Sequence, residues 1–437
     1  MIKNVSLISK VLAILNRKQK LQALFLFFLI LLAMAFETIG IALIIPFISL
    51  IMNAADTGGM SPDFLNQYPA IKDLLFSYGK FSHSQIVIIA SILMVIVFAT
   101  KSAFLTYKNW AQFLFVYKLS GSVSQRLFSD YLNRPYLFHL QVNSSKLMQN
   151  IDGEVKGFIL FSVCVLTLMT ELLVVVGLCF LMFYINSIAA STIVILFSVY
   201  AGFMFFFSRK RLPALGLKRQ VYETESRKNA QEGFSGIKEI KLFGVQDYFI
   251  NQYNKPITKL ISVYRKYQLS LEMPKIWMEF FVVSVFSILM ALMIYQGLNL
   301  VALLPTLGMY AAIAFRIMPS VSRIIYFAQQ AKYYLPTVGI VSDEISLVKD
   351  TNITNSEVAI FPFSKEITLK DISYTYEGSD NKVLNNVNAI IPKGSFVGFI
   401  GSSGAGKSTL MDVLLGMISP DVGSITIDGI DIENNIH

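Results

Sequence analysis

Apolar positions along the chain gather into six long runs, near 21-52, 84-116, 157-185, 188-208, 274-296 and 301-330. A bilayer core about 30 Å thick takes roughly 20 apolar residues of helix, so each run predicts a membrane span. The first, from Leu21 to Met52, would be about 48 Å long at about 1.5 Å per residue, so it tilts or continues past the hydrocarbon. Ahead of it, Val5, Ile8, Leu12 and Leu15 recur at helical spacing, with Leu7, Val11 and Ile14 beside them. That pattern predicts an amphipathic helix lying on the inner membrane surface within residues 1-20. Ala33-Met34-Ala35 has the small-residue look of a signal cleavage site, but the apolar run continues well past it, unlike a short signal core. Residues 117-156 and 209-272 are polar, charged and still helical in pattern, and they are too long to be turns. Two readings stay open for them: helical extensions that fold back beneath the membrane and touch a soluble domain, or solvated hairpins.

After Lys332 the texture becomes that of a soluble α/β domain. Short strand patterns run from Glu366 to Leu369, from Ile372 to Tyr376 and from Ser395 to Ile400, separated by turn residues. The chain thus divides into an amphipathic segment (1-20), an all-α membrane domain of six helices (21-331), a linker (332-364) and an α/β segment (365-437).

Composition agrees with a membrane protein: 54% of residues are hydrophobic and 15% charged, too few charges to cover a soluble protein of 437 residues. The formal charge of +9 does not point to nucleic acid, because the basic residues flank predicted spans and are not interleaved with base-stacking aromatics. An anionic lipid leaflet is the simpler partner. Lys3, Lys10, Arg17, Lys18 and Lys20 precede the first span without an acid, and residues 209-266 carry thirteen Lys and Arg. Cytoplasmic flanks hold such excesses, so both segments lie inside, the loop 53-83 lies outside, and an even number of spans returns the C-terminal segment to the cytoplasm. The two cysteines, Cys164 and Cys179, fall inside one apolar run and predict neither redox chemistry nor a disulfide framework.

The chemistry concentrates in Gly401-Ser402-Ser403-Gly404-Ala405-Gly406-Lys407-Ser408, which fits the G-x-x-x-x-G-K-[ST] phosphate-binding pattern between the predicted strand Phe396 to Ile400 and a helix from Thr409 to Leu415. Glycines let backbone N–H groups close around phosphate oxygens, and a helix N-terminus adds a favourable dipole. Lys407 would reach the β- and γ-phosphates, Ser408 would give a hydroxyl to Mg²⁺, and Thr409 would add a hydrogen bond to the α-phosphate. Spacing alone specifies a nucleoside triphosphate and leaves the base open.

Six spans followed by a strand-rich segment and this loop resemble an ABC transporter of the exporter type. Ile372-Ser373-Tyr374-Thr375-Tyr376, Val383-Leu384, Ile391-Pro392-Lys393-Gly394 and Gly423 to Gly429 are similar to the opening of that family's nucleotide-binding domain. The resemblance implies a membrane exporter domain followed by a partial P-loop NTPase domain, with ATP and Mg²⁺ as cofactors. It makes Tyr376 the aromatic that stacks on adenine, although a strand tyrosine by itself is more often packing. It also implies that Arg134 to Leu140 and Gly233 to Phe243 are the cytoplasmic turns that press on the nucleotide domains.

No glutamine loop, LSGGQ-like signature, second acidic strand or switch histidine follows, and His437 has no such context. The expectation is therefore a truncated half-transporter with no catalytic residues of its own, whose parent is an ATPase acting as a homodimer. Phe36 to Phe47, with Arg316-Ile317-Met318-Pro319-Ser320 and Arg323-Ile324-Ile325, resembles flippases of lipid-linked oligosaccharides and related polysaccharide exporters; Leu65, Tyr68, Ile71, Leu75 and Tyr78 would form one face of a short external helix, as such flippases carry, or belong to a simple surface loop. That resemblance places the protein in a bacterial inner or plasma membrane, with lipids and an amphipathic or lipid-linked glycan as partners. Peptide, drug or simple lipid remain alternative cargoes, and a non-hydrolysing membrane protein with a remnant nucleotide segment is the reading from another class. A channel is disfavoured, since no filter or ring-forming charged motif occurs. Intramembrane charges are costly, so Glu37, Lys101, Glu171, Glu279 and Arg316 stand out. Arg316 and Arg323 would meet an anionic pyrophosphate headgroup, or Arg316 would pair with Glu37 or Glu279, or Arg323 would sit near a membrane interface.

Overall fold

The computed structural model describes residues 15-43, 47, 83-185, 187-295, 300-347, 363-376, 378-379 and 381-432. The surface helix expected at residues 5-15, the outer helix over 65-78 and the side chain of Arg316 lie outside the described residues. The chain forms two compact units, one of residues 1-126 with 148-345, the other of 127-147 with 346-437.

In the first unit, α1 (Arg17–Ala42), α2 (His83–Asn133), α5 (Val155–Ile185) and α6 (Ser187–Ser208) follow four of the predicted runs. Among the described residues, four helical stretches are long and apolar enough to cross a membrane, and each overlaps one of these four helices. Their outward side chains include Phe28, Ile92, Ile96, Phe180, Val199 and Phe206, all exposed. Such a surface is stable only against lipid. The last two runs lie within α9 (Gln246–Tyr295) and α10 (Leu300–Leu347). Between them and the earlier helices run α7 (Arg211–Ser235) and the short α8 (Ile237–Phe243), so the polar insertions are helical extensions. A buried cluster of Phe197, Tyr200, Met278, Ile317, Val321 and Ile325 ties α6, α9 and α10 together.

Below that cluster, α7 and α10 touch closely. A methyl on Gly216 would run into the backbone oxygen of Tyr333, so this position requires glycine. Tyr333 is fully buried and stacks on Tyr267 of α9 with ring centroids 3.7 Å apart. Here the structure departs from the expected change at Lys332. The helix α10 continues to Leu347, so the polar shift marks where it loses lipid-facing residues and not where it ends.

Before α5 the chain winds one π-helical turn, Gln149–Glu154, which turns Gln149, Asn150 and Glu154 inward. Glu154 accepts from Gln220 at 2.7 Å and from Gln149 at 3.2 Å. Arg219 approaches Glu154 at 3.8 Å and Glu223 at 3.9 Å, with its guanidinium over the rings of Tyr333 and Tyr334. The Tyr264 hydroxyl donates to Glu223, and Asn150 donates to Glu344, so one polar network joins the π turn to α7, α9 and α10. Burial and this bond to a carboxylate push the Tyr264 hydroxyl above the usual phenol range.

The second unit contains α3 (Tyr136–Gln141), α4 (Ser144–Met148) up to Leu147, and a sheet of β1 (Glu366–Tyr374), β2 (Leu384–Pro392), β3 (Val422–Ile427) and β4 (Ile430–Asp431). The order is β2-β1-β3-β4, every pairing antiparallel. The two strands expected at 366-369 and 372-376 are one strand, irregular between Leu369 and Ile372, where Asp371 takes φ 52°. Asp428 and Gly429, with φ of 51° and 84°, make the two-residue turn from β3 to β4. The Asp428 carboxylate accepts N–H bonds from Ser364, Lys365 and Glu366, which hold its carboxyl below the usual range.

Residues 395-400 do not form the strand expected of them. They carry no regular secondary structure and make no ladder among the described residues, and Phe396 and Ile400 are fully exposed. A strand exists only where a neighbour accepts its N–H and C=O groups, and the four described strands form a separate sheet.

Candidate functional site

The phosphate-loop residues fold as one tight structure. Gly401, Ser402, Ser403, Gly404 and Ala405 are exposed, and Gly406 is the N-cap of α11 (Lys407–Leu414). Gly404 and Gly406 both take φ 83°, which favours glycine, and a methyl on Gly406 would meet the Val383 oxygen at 2.8 Å. The loop thereby brings exposed backbone to the N-terminus of α11, whose first N–H groups have no intrahelical acceptor. Lys407 Nζ donates to the backbone oxygens of Gly401 at 2.8 Å and Ser402 at 2.6 Å. The ammonium is thus already folded back over the loop it would share with a phosphate.

Ser408 lies exposed in the first turn of α11, while Thr409 is buried. Thr409 Oγ1 and the Tyr376 hydroxyl are 3.1 Å apart, which puts Tyr376 beside the phosphate helix. The Tyr376 ring stands edge-on to Tyr374 with centroids 5.1 Å apart and packs partly on the buried cluster of this unit. Packing and hydrogen bonding therefore account for part of its placement, and sequence reasoning gave it neither partner. Among the described residues no group of three His, Cys, Asp or Glu could hold a metal. The Ser408 hydroxyl is an oxygen donor of the kind Mg²⁺ takes.

The segment from Arg134 to Leu140 breaks at Pro135 and restarts as α3. Arg134 pairs with Asp130 at 2.7 Å and lies over the rings of Tyr131 and Phe138. The next side chain, Leu137, packs on the cluster that contains Leu369, Ile372, Leu384 and Leu410. One turn of helix is thereby attached to the core from which the phosphate loop springs. The corresponding stretch in the first unit, Gly233 to Phe243, includes α8, ended by Gly244 at φ 70°. Phe234, Leu242 and Phe243 there are 79%, 75% and 73% exposed.

Two intramembrane pairs join described side chains, while the pairing expected of Arg316 lies outside them. Glu37 accepts from Lys101 at 2.7 Å, and Arg323 meets Glu171 at 2.7 Å. Glu279 is exposed on α9. The spacing of charges along the sequence could not reveal this, because each pair joins residues from different helices. Cys164 is buried and bonds to the Gln330 side chain, and both cysteines are free thiols.

A family model described as the ABC transporter transmembrane region matches residues 21–318, and one described as ABC transporter matches residues 384–437. An ATP-dependent lipid A-core flippase of Wigglesworthia glossinidia brevipalpis is 24% identical over 412 residues, which cover 90% of this chain and 66% of the relative. The heterocyst differentiation ATP-binding protein HepA of Nostoc sp. is 26% identical over 230 residues, 50% of this chain and 37% of that protein. The chain thus spans two thirds or less of the length of these relatives. A solved bacterial Atm1-family ABC exporter with ATP bound matches with a TM-score of 0.62 at 17% identity, over 95% of this chain and 69% of that one. The membrane model alone takes in more than half of the sequence, the second model covers the phosphate loop, and the fold is that of an exporter: the chain belongs to the ABC transporter family.

Proposed function

We propose that this chain is the membrane domain and the opening part of the cassette of a half-transporter, which works as a homodimer and couples ATP to the export of an amphipathic, lipid-linked glycan. In this reading residues 21-331 carry the cargo path, 332-364 lead out of the membrane, and 365-437 hold nucleotide from the cytoplasmic side of a bacterial inner membrane. Gly401 to Ser408 wrap the phosphates, Lys407 neutralises them, Ser408 holds Mg²⁺, and Thr409 and Tyr376 border the nucleoside side.

The observation that carries the coupling is Leu137, whose helix packs on the same buried cluster as Leu410 of the phosphate helix. A shift of α11 on binding ATP would be felt at α3, and through it at α2, because packed cores rearrange between discrete states. The exposed Phe234, Leu242 and Phe243 of the other turn support pairing, since a second copy would cover them. The cargo class rests on the flippase name of a relative and on the charged side chains among the spans.

The test is ATP hydrolysis by the full reading frame that carries this chain, purified in lipid nanodiscs. Hydrolysis that a lipid-linked oligosaccharide stimulates and Lys407→Ala abolishes supports the proposal. Nucleotide binding that survives Lys407→Ala unchanged would refute the assigned site.

A further inference from the structure

A helical turn closed over five residues instead of four is rare, persists where its side chains hold it, and gathers at functional sites. In Gln149–Glu154 the holder is a bond between the turn's own ends: Gln149 Nε2 donates to Glu154 Oε1 at 3.2 Å across five residues. In an α wind, at about 100° per residue, these two side chains would point about 140° apart. Facing neighbours on an α-helix are three or four residues apart, so this bond belongs to the π form. The same Nε2 donates to Glu223 of α7 at 3.1 Å, which ties the turn to a neighbouring helix. Gly153 makes room for the arrangement, since a methyl there would run into the Gln149 side chain.

The pairing around the turn is incomplete in a way that supplies an alternative. Gln149 Oε1 has no hydrogen-bond partner, nor have Arg219 Nε and Nη2, although Nη2 stands 3.8 Å from Glu154. Buried groups left unpaired are costly. If Gln149 turned away it would release one oxygen of Glu154, and Arg219 is near enough to close on that oxygen as a charge-assisted pair. Gln220 would still hold the other oxygen, at 2.7 Å. The bond from Asn150 to Glu344 of α10, 3.2 Å in the π form, is what the change would give up. An α wind takes one residue fewer per turn, so it would rotate Met148 by about 100° against α5. Between Leu147 and Met148 the chain passes from one compact unit to the other, so this turn is where the first unit receives it.

We propose that Gln149–Glu154 is a two-state switch, in which Gln149 holds Glu154 in a π wind or Arg219 holds it in an α wind, and which sets the rotation at which the chain enters α5. The inference deepens the coupling in the proposed function and rests on that reading for ATP as its trigger, though not for its two states. ATP can act on the switch only by binding more tightly to a protein in one of them.

The experiment puts nitroxide labels at Met148→Cys and Glu225→Cys, two exposed positions of the first unit, in the full reading frame with its other cysteines, Cys164 and Cys179 included, replaced by serine. Labelled protein diluted into unlabelled protein in lipid nanodiscs lets double electron–electron resonance read the distance within one chain. A turn of about 100° moves a side-chain tip about 5 Å from the helix axis by about 8 Å, so the two winds give separate peaks. Without nucleotide the π peak should dominate. Gln149→Leu and Gly153→Ala should each raise the second peak about fivefold, the change that one net hydrogen bond makes in an equilibrium. ATP with Mg²⁺ should raise it in the wild type, Lys407→Ala should remove that response, and Arg219→Met should suppress the second peak with ATP present. A single unchanged peak in the wild type with ATP, in Gln149→Leu and in Gly153→Ala overturns the switch. Shifts of the same sign from Gln149→Leu and Arg219→Met overturn the exchange between those two side chains. Opposite shifts, in a wild type that hydrolyses ATP yet keeps one ratio of peaks, overturn the coupling role. Opposite shifts in a protein without Lys407-dependent ATP turnover would sink the exporter reading and leave the switch standing.

Discussion

Removing the carboxylate of Glu154 isolates a buried positive charge, and the cost can be worked out from its surroundings. The side chains of Arg219 and Glu154 are 7% and 2% exposed, and they face each other at 3.8 Å. Arg219 Nε and Nη2 lack hydrogen-bond acceptors in the structure, so its compensation is electrostatic: Glu154, Glu223 at 3.9 Å and the faces of two tyrosines. Breaking a buried pair by removing one partner costs about 3–5 kcal/mol. The long contact, with Glu223 and the ring faces remaining, puts Glu154→Leu near the lower end, about 3 kcal/mol. Arg219→Met leaves Glu154 with two amide donors, Gln149 and Gln220, and should cost somewhat less. Replacing both partners removes the uncompensated charge, so the double variant should be more stable than Glu154→Leu alone, by about 1–2 kcal/mol. Equilibrium unfolding with dodecyl sulfate in mixed micelles, run as a double-mutant cycle, measures all three. Strict additivity of the two single losses would refute the claim that these residues form one charge-compensated unit.

Three further outcomes follow from the geometry. Tyr376→Phe loses the bond to Thr409 but keeps the ring, so ATP affinity should fall no more than a few-fold, whereas Tyr376→Ala should lower it by about tenfold if the ring stacks on the base; equal affinities would make Tyr376 packing alone. The depressed carboxyl of Asp428 contributes stability present above the unfolded carboxylate pKa of about 3.9 and lost as pH falls through the lower folded value. Hydrogen exchange at Ser364, Lys365 and Glu366 should therefore quicken only in strong acid, and Asp428→Asn should expose the Ser364 amide at every pH; acid-independent protection would contradict the assignment. Leu137→Asp puts a charge against the apolar cluster and should abolish cargo-stimulated ATP turnover by the full reading frame while leaving nucleotide affinity within a few-fold, a split that an idle surface loop would not produce.

The spans and the phosphate loop were legible because each depends on local pattern: apolar runs long enough for a bilayer, and glycines where the backbone takes φ 83°. What escaped depends on distant partners. The π turn at Gln149–Glu154 is set by inward polar groups that meet Gln220 and Glu223 of α7, far along the chain. Residues 395-400 have strand composition, but strand structure needs a neighbour that the described sheet does not supply. Lys108 was overlooked because it sits near the end of an apolar run, where a lysine reads as a membrane flank. Its burial appears only in the fold, where it and residues of α5 and α10 line one cavity.

ATP-dependent transfer of a labelled lipid-linked oligosaccharide across proteoliposome membranes tests the central claim most directly, using the full reading frame, its Lys407→Ala variant and this 437-residue chain. The account predicts transfer by the full reading frame and none by Lys407→Ala. ATP hydrolysis that depends on Lys407 without any oligosaccharide transfer would contradict the proposed cargo.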